Sequence, residues 1–227
     1  MEARTLEARA RWARRGLASR APLDETVQAM LLHQLYLAYY ERRWFERARQ
    51  VARQALTLDV LPDVFHQDAA RADLALGDLE SALAHLRLAA RRGPASRRSF
   101  HLWTLASVLF LEHRYAEAAA SLERAVRWGT HDRPLFRAHL ALVRLAAGER
   151  VEDLQAAIDE LASAPCGQGY GCFVLGHIAY ASGSWRSARR FLEGFVRRSR
   201  RGRGALALAL DGEIQMSLAT LSKIPTE

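Results

Sequence analysis

The stretch EHRYAEAAASLERAV, residues 112–126, places Tyr115, Ala118, Leu122 and Ala125 at spacings of three, four and three, which is the apolar stripe of an amphipathic helix. Three other stretches follow the same pattern: RRWFERARQVARQAL at 42–56, LGDLESALAHLRLAA at 76–90 and SGSWRSARRFLEGFV at 182–196. In each, a turn precedes an aromatic or leucine (Trp44 or Phe45, Leu79, Tyr115, Trp185). A small residue follows three positions later (Ala48, Ala82, Ala118, Ala188), with apolar residues four and seven further on. The alanines recur after 34, 36 and 70 residues, and a weaker copy, GERVEDLQAAIDEL, lies midway through the longest interval with Leu154 in the alanine's place. The chain therefore repeats with a period of about 34 to 36 residues.

Composition agrees. Half of the 227 residues are apolar, so a disordered chain is excluded, and Ala, Leu, Arg and Glu dominate where strand-forming Val/Ile/Thr clusters are missing. An all-helical fold is expected. The segment ALALALDGEIQMSL, 205–218, alternates like a strand around an Asp-Gly turn, but a lone hairpin has no sheet to join. It reads instead as a helix with Leu206, Leu210, Ile214, Leu218 and Leu221 on one stripe, covering the open face of the last repeat.

The period and pattern resemble the tetratricopeptide repeat, a helix-turn-helix unit carrying W-x2-L-G-x2-Y, then A-x3-F, then P. Leu32, Leu35 and Tyr39 fill the apolar places of the first motif, Leu102, Leu105 and Leu109 fill them again, and Leu175-Gly176 reproduces its Leu-Gly pair. The motif's first Trp is absent, and most of the Leu-Gly pairs lack their glycine. The resemblance covers residues 26–199, in units of about 26–61, 62–95, 96–131, 132–165 and 166–199. A basic helix precedes it in 1–25, and a basic turn with a capping helix follows in 200–227. It implies a right-handed superhelical solenoid of about five repeats whose first helices line a concave groove, and a function of holding other proteins.

Carried over unit by unit, the groove positions of that family are Met30, His33, Leu37 and Tyr40; Gln67, Arg71 and Leu74; Phe100, Trp103, Ser107 and Phe110; Phe136, His139 and Val143; and Tyr170, Phe173, His177 and Tyr180. The expected wall is aromatic and nearly uncharged, suited to an apolar or amphipathic segment of a partner protein. Members of the family that grip chaperone tails clamp the terminal carboxylate with Lys and Asn. This chain has one Lys, Lys223, and no Asn, so that mode is excluded. Among family members the groove looks most like that of the bacterial type III secretion chaperones, which are shorter.

The stretch PCGQGYGCFVLG, 165–176, raises chemical alternatives. A phosphate loop requires a preceding strand and a Gly-Lys-Ser/Thr ending, and a zinc site requires about four ligands in closer spacing. Both are absent, and Pro165 with its glycines reads as the turn between two helices. No HExxH or triad order stands out, so no enzyme, cofactor or metal is expected. Two cysteines make no disulfide framework, and the charged first twenty residues make no signal peptide, so a cytoplasmic protein is expected.

Charge supplies the competing reading. The net charge is +8, yet residues 186–203 hold eight arginines (Arg186, Arg189, Arg190, Arg197, Arg198, Arg200, Arg201, Arg203) against Glu193, and residues 1–20 hold six against two glutamates. The two ends are basic and the body is not. Such a cluster suits nucleic acid, an anionic membrane or an acidic protein face, while 32 arginines to one lysine equally suits a codon bias that leaves a solvated helix end.

Overall fold

The computed structural model describes residues 2–202 and 204–225, which fold into helices without a strand among the described residues. In chain order these are α1 (Glu2–Leu17), α2 (Glu25–Glu41), α3 (Phe45–Leu56), α4 (Pro62–Ala75), α5 (Leu79–Arg92), α6 (Ala95–Leu111) and α7 (Tyr115–Trp128). They continue as α8 (Arg133–Ala146), α9 (Leu154–Ser163), a 3-10 turn at Pro165–Gln168, α10 (Gly171–Ala181), α11 (Trp185–Arg201), α12 (Gly204–Ala209) and α13 (Asp211–Leu221). Local chemistry sets the ends. The Asp24 carboxylate accepts from the amides of Thr26 and Val27 at the start of α2, Asp78 caps α5 through Ser81, and Pro62 and Pro134 stand in first turns, where no amide is missed.

Two compact units form, residues 1–101 and 102–227. Within the first, α1 packs on α2, and α2 through α5 pack each on the next, with α2 also reaching α4. Within the second, α7 packs on α8, α8 on α9 and on α10, α10 on α11, and α13 on α10 and α11. Contact with the next helix and the next but one is the packing of a helical repeat.

Chain reversal uses one device five times. Arg43, Gly77, His113, Gly148 and Gly183 all have left-handed backbone, with φ between 59° and 80°, at intervals of 34, 36, 35 and 35 residues. At each, the next residue's amide returns to the carbonyl five residues back: Trp44 to Tyr39, Asp78 to Asp73, Arg114 to Leu109, Glu149 to Arg144 and Ser184 to Ala179, all at 2.9 Å. This is the Schellman ending, which satisfies orphan carbonyls while turning the chain. Aromatic pairs clamp three of these turns: Tyr40 on Phe45, Phe110 on Tyr115 and Tyr180 on Trp185, with ring centroids 5.3 to 6.0 Å apart.

The alanines take the expected role, since Ala48, Ala82, Ala118 and Ala188 are fully buried. The fourth pair corrects the sequence reading. Its connection runs on to Asp153, so α9 starts late and Ala157, not Leu154, is the buried small residue, with Leu161 four positions on. Gly176 marks a close approach of α10 to α11, because a Cβ there would sit 2.5 Å from Leu192 Cδ2. The C-terminal segment is also corrected: the helix breaks at Leu210, Leu206 stays half exposed, and the buried face of α13 is Glu213, Ile214, Ser217 and Thr220. Leucines every fourth residue do not outweigh a helix whose Asp211-Gly212 start reorients the chain.

Only glycine adopts left-handed backbone without steric cost. Arg43→Gly should therefore stabilise the protein by about 1 kcal/mol, raising Tm by roughly 3 °C, and Gly183→Ala should lower it by a similar amount. Thermal unfolding followed by circular dichroism checks both.

Candidate functional site

In the first unit the faces of α2 and α4 meet through a polar chain where an uncharged wall was expected. His33 Nδ1 lies 2.7 Å from Asp68 Oδ2, and Arg71 donates to the other Asp68 oxygen at 3.4 Å and to Gln67 Oε1 at 3.3 Å. With its oxygen turned to Arg71, the Gln67 amide donates to His101 Nδ1 at 2.7 Å. That leaves the Nε2–H of His101 to donate to Asp63 Oδ2 at 2.8 Å, and Arg97 closes the chain on Asp63 at 3.1 Å. Burial holds His101 below the usual histidine range, against the opposite pull of Asp63, which fits this neutral tautomer. Asp63, Gln67, Asp68 and His101 are buried, whereas His33, Arg71 and Arg97 keep a water-facing edge.

Of these residues the sequence reading singles out only His33, Gln67 and Arg71, and it misses Asp63, Asp68, Arg97 and His101. A signal was present. Bonded partners lie 34 or 35 residues apart (Asp63–Arg97, Gln67–His101, His33–Asp68), which is one repeat period. Outward from α2 this unit offers exposed Val27 and Met30, the latter 60% exposed, with half-buried Leu37, beside exposed Glu25, Thr26 and Gln34. Phe100 is also exposed.

In the second unit the predicted aromatics do converge, though most turn inward. Trp103 meets Tyr170 edge-on at 4.7 Å and Phe136 at 6.3 Å, while Phe173 contacts Phe110, His139, His177 and Phe195. Phe110, Phe136, Phe173, His139 and His177 are buried, so the expectation of exposed rings is corrected for them: they fill the space between neighbouring helices. Tyr40, Phe110 and Tyr180 are the turn clamps described above, and their equal spacing of 70 residues imitates a groove position. Trp103 and Tyr170 remain half-exposed, and Trp103 Nε1 donates to His139 Nδ1 at 3.2 Å.

One carboxyl that the sequence reading passes over enters this cluster. Tyr170 donates its hydroxyl to Glu213 Oε1 at 3.1 Å, and Glu213 is only 5% exposed. Burial raises the Glu213 carboxyl to about 7, aided by Asp211 and opposed by the Tyr170 bond, and burial also raises the Tyr170 hydroxyl well above its ordinary value.

The arginines of α11 divide. Arg186, Arg190, Arg197 and Arg201 follow one stripe within about 60° of helix surface and are exposed, as are Arg198 and Arg200. No acidic side chain among the described residues pairs with Arg197, Arg198, Arg200 or Arg201. Arg189 departs from the cluster, since it donates to the carbonyls of Ile224 and Pro225 at 3.4 and 3.2 Å. Arg203 lies outside the described residues. In the glycine-rich stretch Cys166 and Cys172 are free thiols raised by burial, and Cys172 donates to the Gly167 carbonyl at 3.3 Å. Among the described residues no group of three His, Cys, Asp or Glu is placed to hold a metal ion, and no helix is long and apolar enough to cross a membrane.

Comparison with known protein families finds no model that matches the chain, and comparison with characterised proteins finds no match.

The buried histidines set an acid limit. Burial lowers His177 to about 4 and His139 to about 3, the latter with help from His177. Both folded values lie below the unfolded one, so the stability they permit is present above about pH 6.5 and is lost as pH falls toward 4. The unfolding free energy from urea titrations should fall between pH 7 and pH 4.5 by up to roughly 2 to 3 kcal/mol per histidine. His177→Leu should flatten the slope.

Proposed function

We propose that the protein is a non-enzymatic adaptor or chaperone of tetratricopeptide type, a right-handed solenoid that holds an apolar or amphipathic segment of a partner protein. The supporting observation is the surface of α2. Met30 and Val27 are exposed, with half-buried Leu37 next to them, on the same helix that presents His33. Exposed apolar side chains in a row, bordered by a satisfied polar network, are the makings of a binding face with an apolar centre and a polar rim. Trp103 with Tyr170 offers a second anchor of the residue types that dominate interface energetics. No carboxylate-clamp partner is proposed, and neither cofactor nor metal is part of the reading.

Tagged full-length protein recovered from its own cells should carry the partner with it. Met30→Glu combined with Val27→Glu, both at exposed positions, should leave Tm nearly unchanged and reduce the partner at least tenfold, about 1.4 kcal/mol or more. Trp103→Ala should weaken capture as well, with some loss of Tm because Trp103 is half-buried. Recovery of the same proteins at the same level by wild type and the charge variants would end this reading.

A second reading, a scaffold docking on polyanions, rests on the unpaired arginines of α11. Changing Arg197, Arg198, Arg200 and Arg201 to Gln should abolish binding of DNA or RNA at about 50 mM salt and lower the log–log salt slope in proportion to the number of phosphates no longer neutralised. An electrophoretic or anisotropy titration at two salt concentrations measures it. No binding by the wild type leaves these side chains as a solvated helix face.

A further inference from the structure

Helix α13 occupies a place in the second unit where its own chemistry fits badly. Its first turn reaches α6, where Gly212 passes so close that a Cβ would sit 2.9 Å from Leu111 Cδ1. The next residue, Glu213, is buried against Tyr170, the residue that precedes α10, with Ser107 of α6 beside the same tyrosine hydroxyl. The rest of the buried face is Ile214, Ser217 and Thr220, so a single large apolar side chain of the helix is fully buried. Ser217 turns its hydroxyl to its own helix, donating to the Glu213 carbonyl at 2.7 Å. The preceding α12 has no fully buried residue: Leu206 is half exposed and the other five are only partly covered. A six-residue helix with no fully buried residue is a tether that yields at lower cost than the packed helices around it.

We propose that α13 is an internal placeholder, and that its seat, formed by Leu111, Ser107 and Tyr170 with the adjoining face of α11, receives an amphipathic helix from the partner. The shape of the seat specifies that helix. It carries a small residue over Leu111, a neutral amide or hydroxyl in place of Glu213 to bond Tyr170, and larger apolar residues where α13 has Ser217 and Thr220. Such a helix buries more apolar surface than α13 and leaves no carboxyl in the seat, so it displaces α13. This inference rests on the protein-binding reading above and names the partner's chemistry at one of its two anchors.

The carboxyl makes the seat testable by pH. The groups acting on it are Tyr170 at the start of α10 and Asp211 from its own helix. From α6 the neighbours are Ser107 and Leu111, and from α11 Arg189 engages the carbonyls of Ile224 and Pro225 at the other end. His139, 5.8 Å from Tyr170, stays neutral down to about 3, below the window used. Seated Glu213 holds its proton up to about 7 and a released one loses it near the ordinary value, so release is favoured as pH rises between those limits and changes little above them.

Hydrogen exchange of the full chain, corrected for the intrinsic pH dependence of exchange, should show α13 amides losing about tenfold protection between pH 6 and pH 8. The Glu213→Gln variant should show no such change. A synthetic peptide of residues 204–225 carrying Glu213→Gln, added to the full chain at pH 8, should bind and raise exchange in the chain's own α13 without altering α2. The same peptide with Gly212→Leu should not bind. Equal protection of α13 at both pH values, or a Glu213→Gln peptide that leaves α13 exchange untouched, overturns the proposal and makes α13 a fixed part of the fold. Either result leaves the α2 charge-variant experiment to decide the protein-binding reading independently.

Discussion

The fold depends on reversing a helix within three residues without leaving carbonyls unsatisfied. A single residue in left-handed backbone does this, together with the 2.9 Å bond that returns from the following residue to the preceding turn. Because that ending fixes the angle at which the next helix departs, Ala48, Ala82, Ala118 and Ala188 take equivalent buried places, whereas after Gly148 a longer connection intervenes and Ala157 is the buried small residue. Two of the five positions use Arg43 and His113 in place of glycine. Packing outweighs the backbone cost there, and the turn is required even where the residue resists it.

Given helices held so closely, the polar residues of α4 need partners on adjoining helices. Asp63 and Asp68 are buried carboxylates, and neither is left alone: arginine and histidine reach each from the neighbouring helices or from the next turn of α4. Partners one repeat apart give this network a register function, since slipping a helix by one residue would strand a buried charge, a loss of several kcal/mol. The aromatic cluster of the second unit plays the corresponding part without charge. There the edge-on and tilted packing of Trp103, Tyr170, Phe136 and Phe173 fills volume beside neutral His139 and His177, and the carboxyl that enters, Glu213, comes from the C-terminal helix.

These two interiors leave different surfaces. The first unit turns an apolar edge of α2 outward beside a satisfied polar chain, and the second covers part of its aromatic face with a helix whose buried side is mostly polar. On α11 the exposed arginine stripe lies away from the side that carries buried Leu192 and Phe195. Partner capture and polyanion contact would therefore use separate side chains, which is why substitutions can separate them.

The helical class, the 34 to 36 residue recurrence and the buried role of Ala48, Ala82, Ala118 and Ala188 were legible in the residues alone, because helix propensity and stripe spacing are local properties. Gly176 was legible for the same reason, as a small residue in a recurring motif. The destination of each side chain was not. Tyr40, Phe110 and Tyr180 repeat at a regular interval, and spacing alone does not distinguish a ring that clamps a turn from one that faces a groove. The late start of α9, the break at Leu210 and the burial of Glu213 each depend on which neighbour arrives from elsewhere in the chain. Only the packed structure brings Asp63 to His101 and Glu213 to Tyr170, since the energy of a buried polar group is set by partners that the local sequence does not contain.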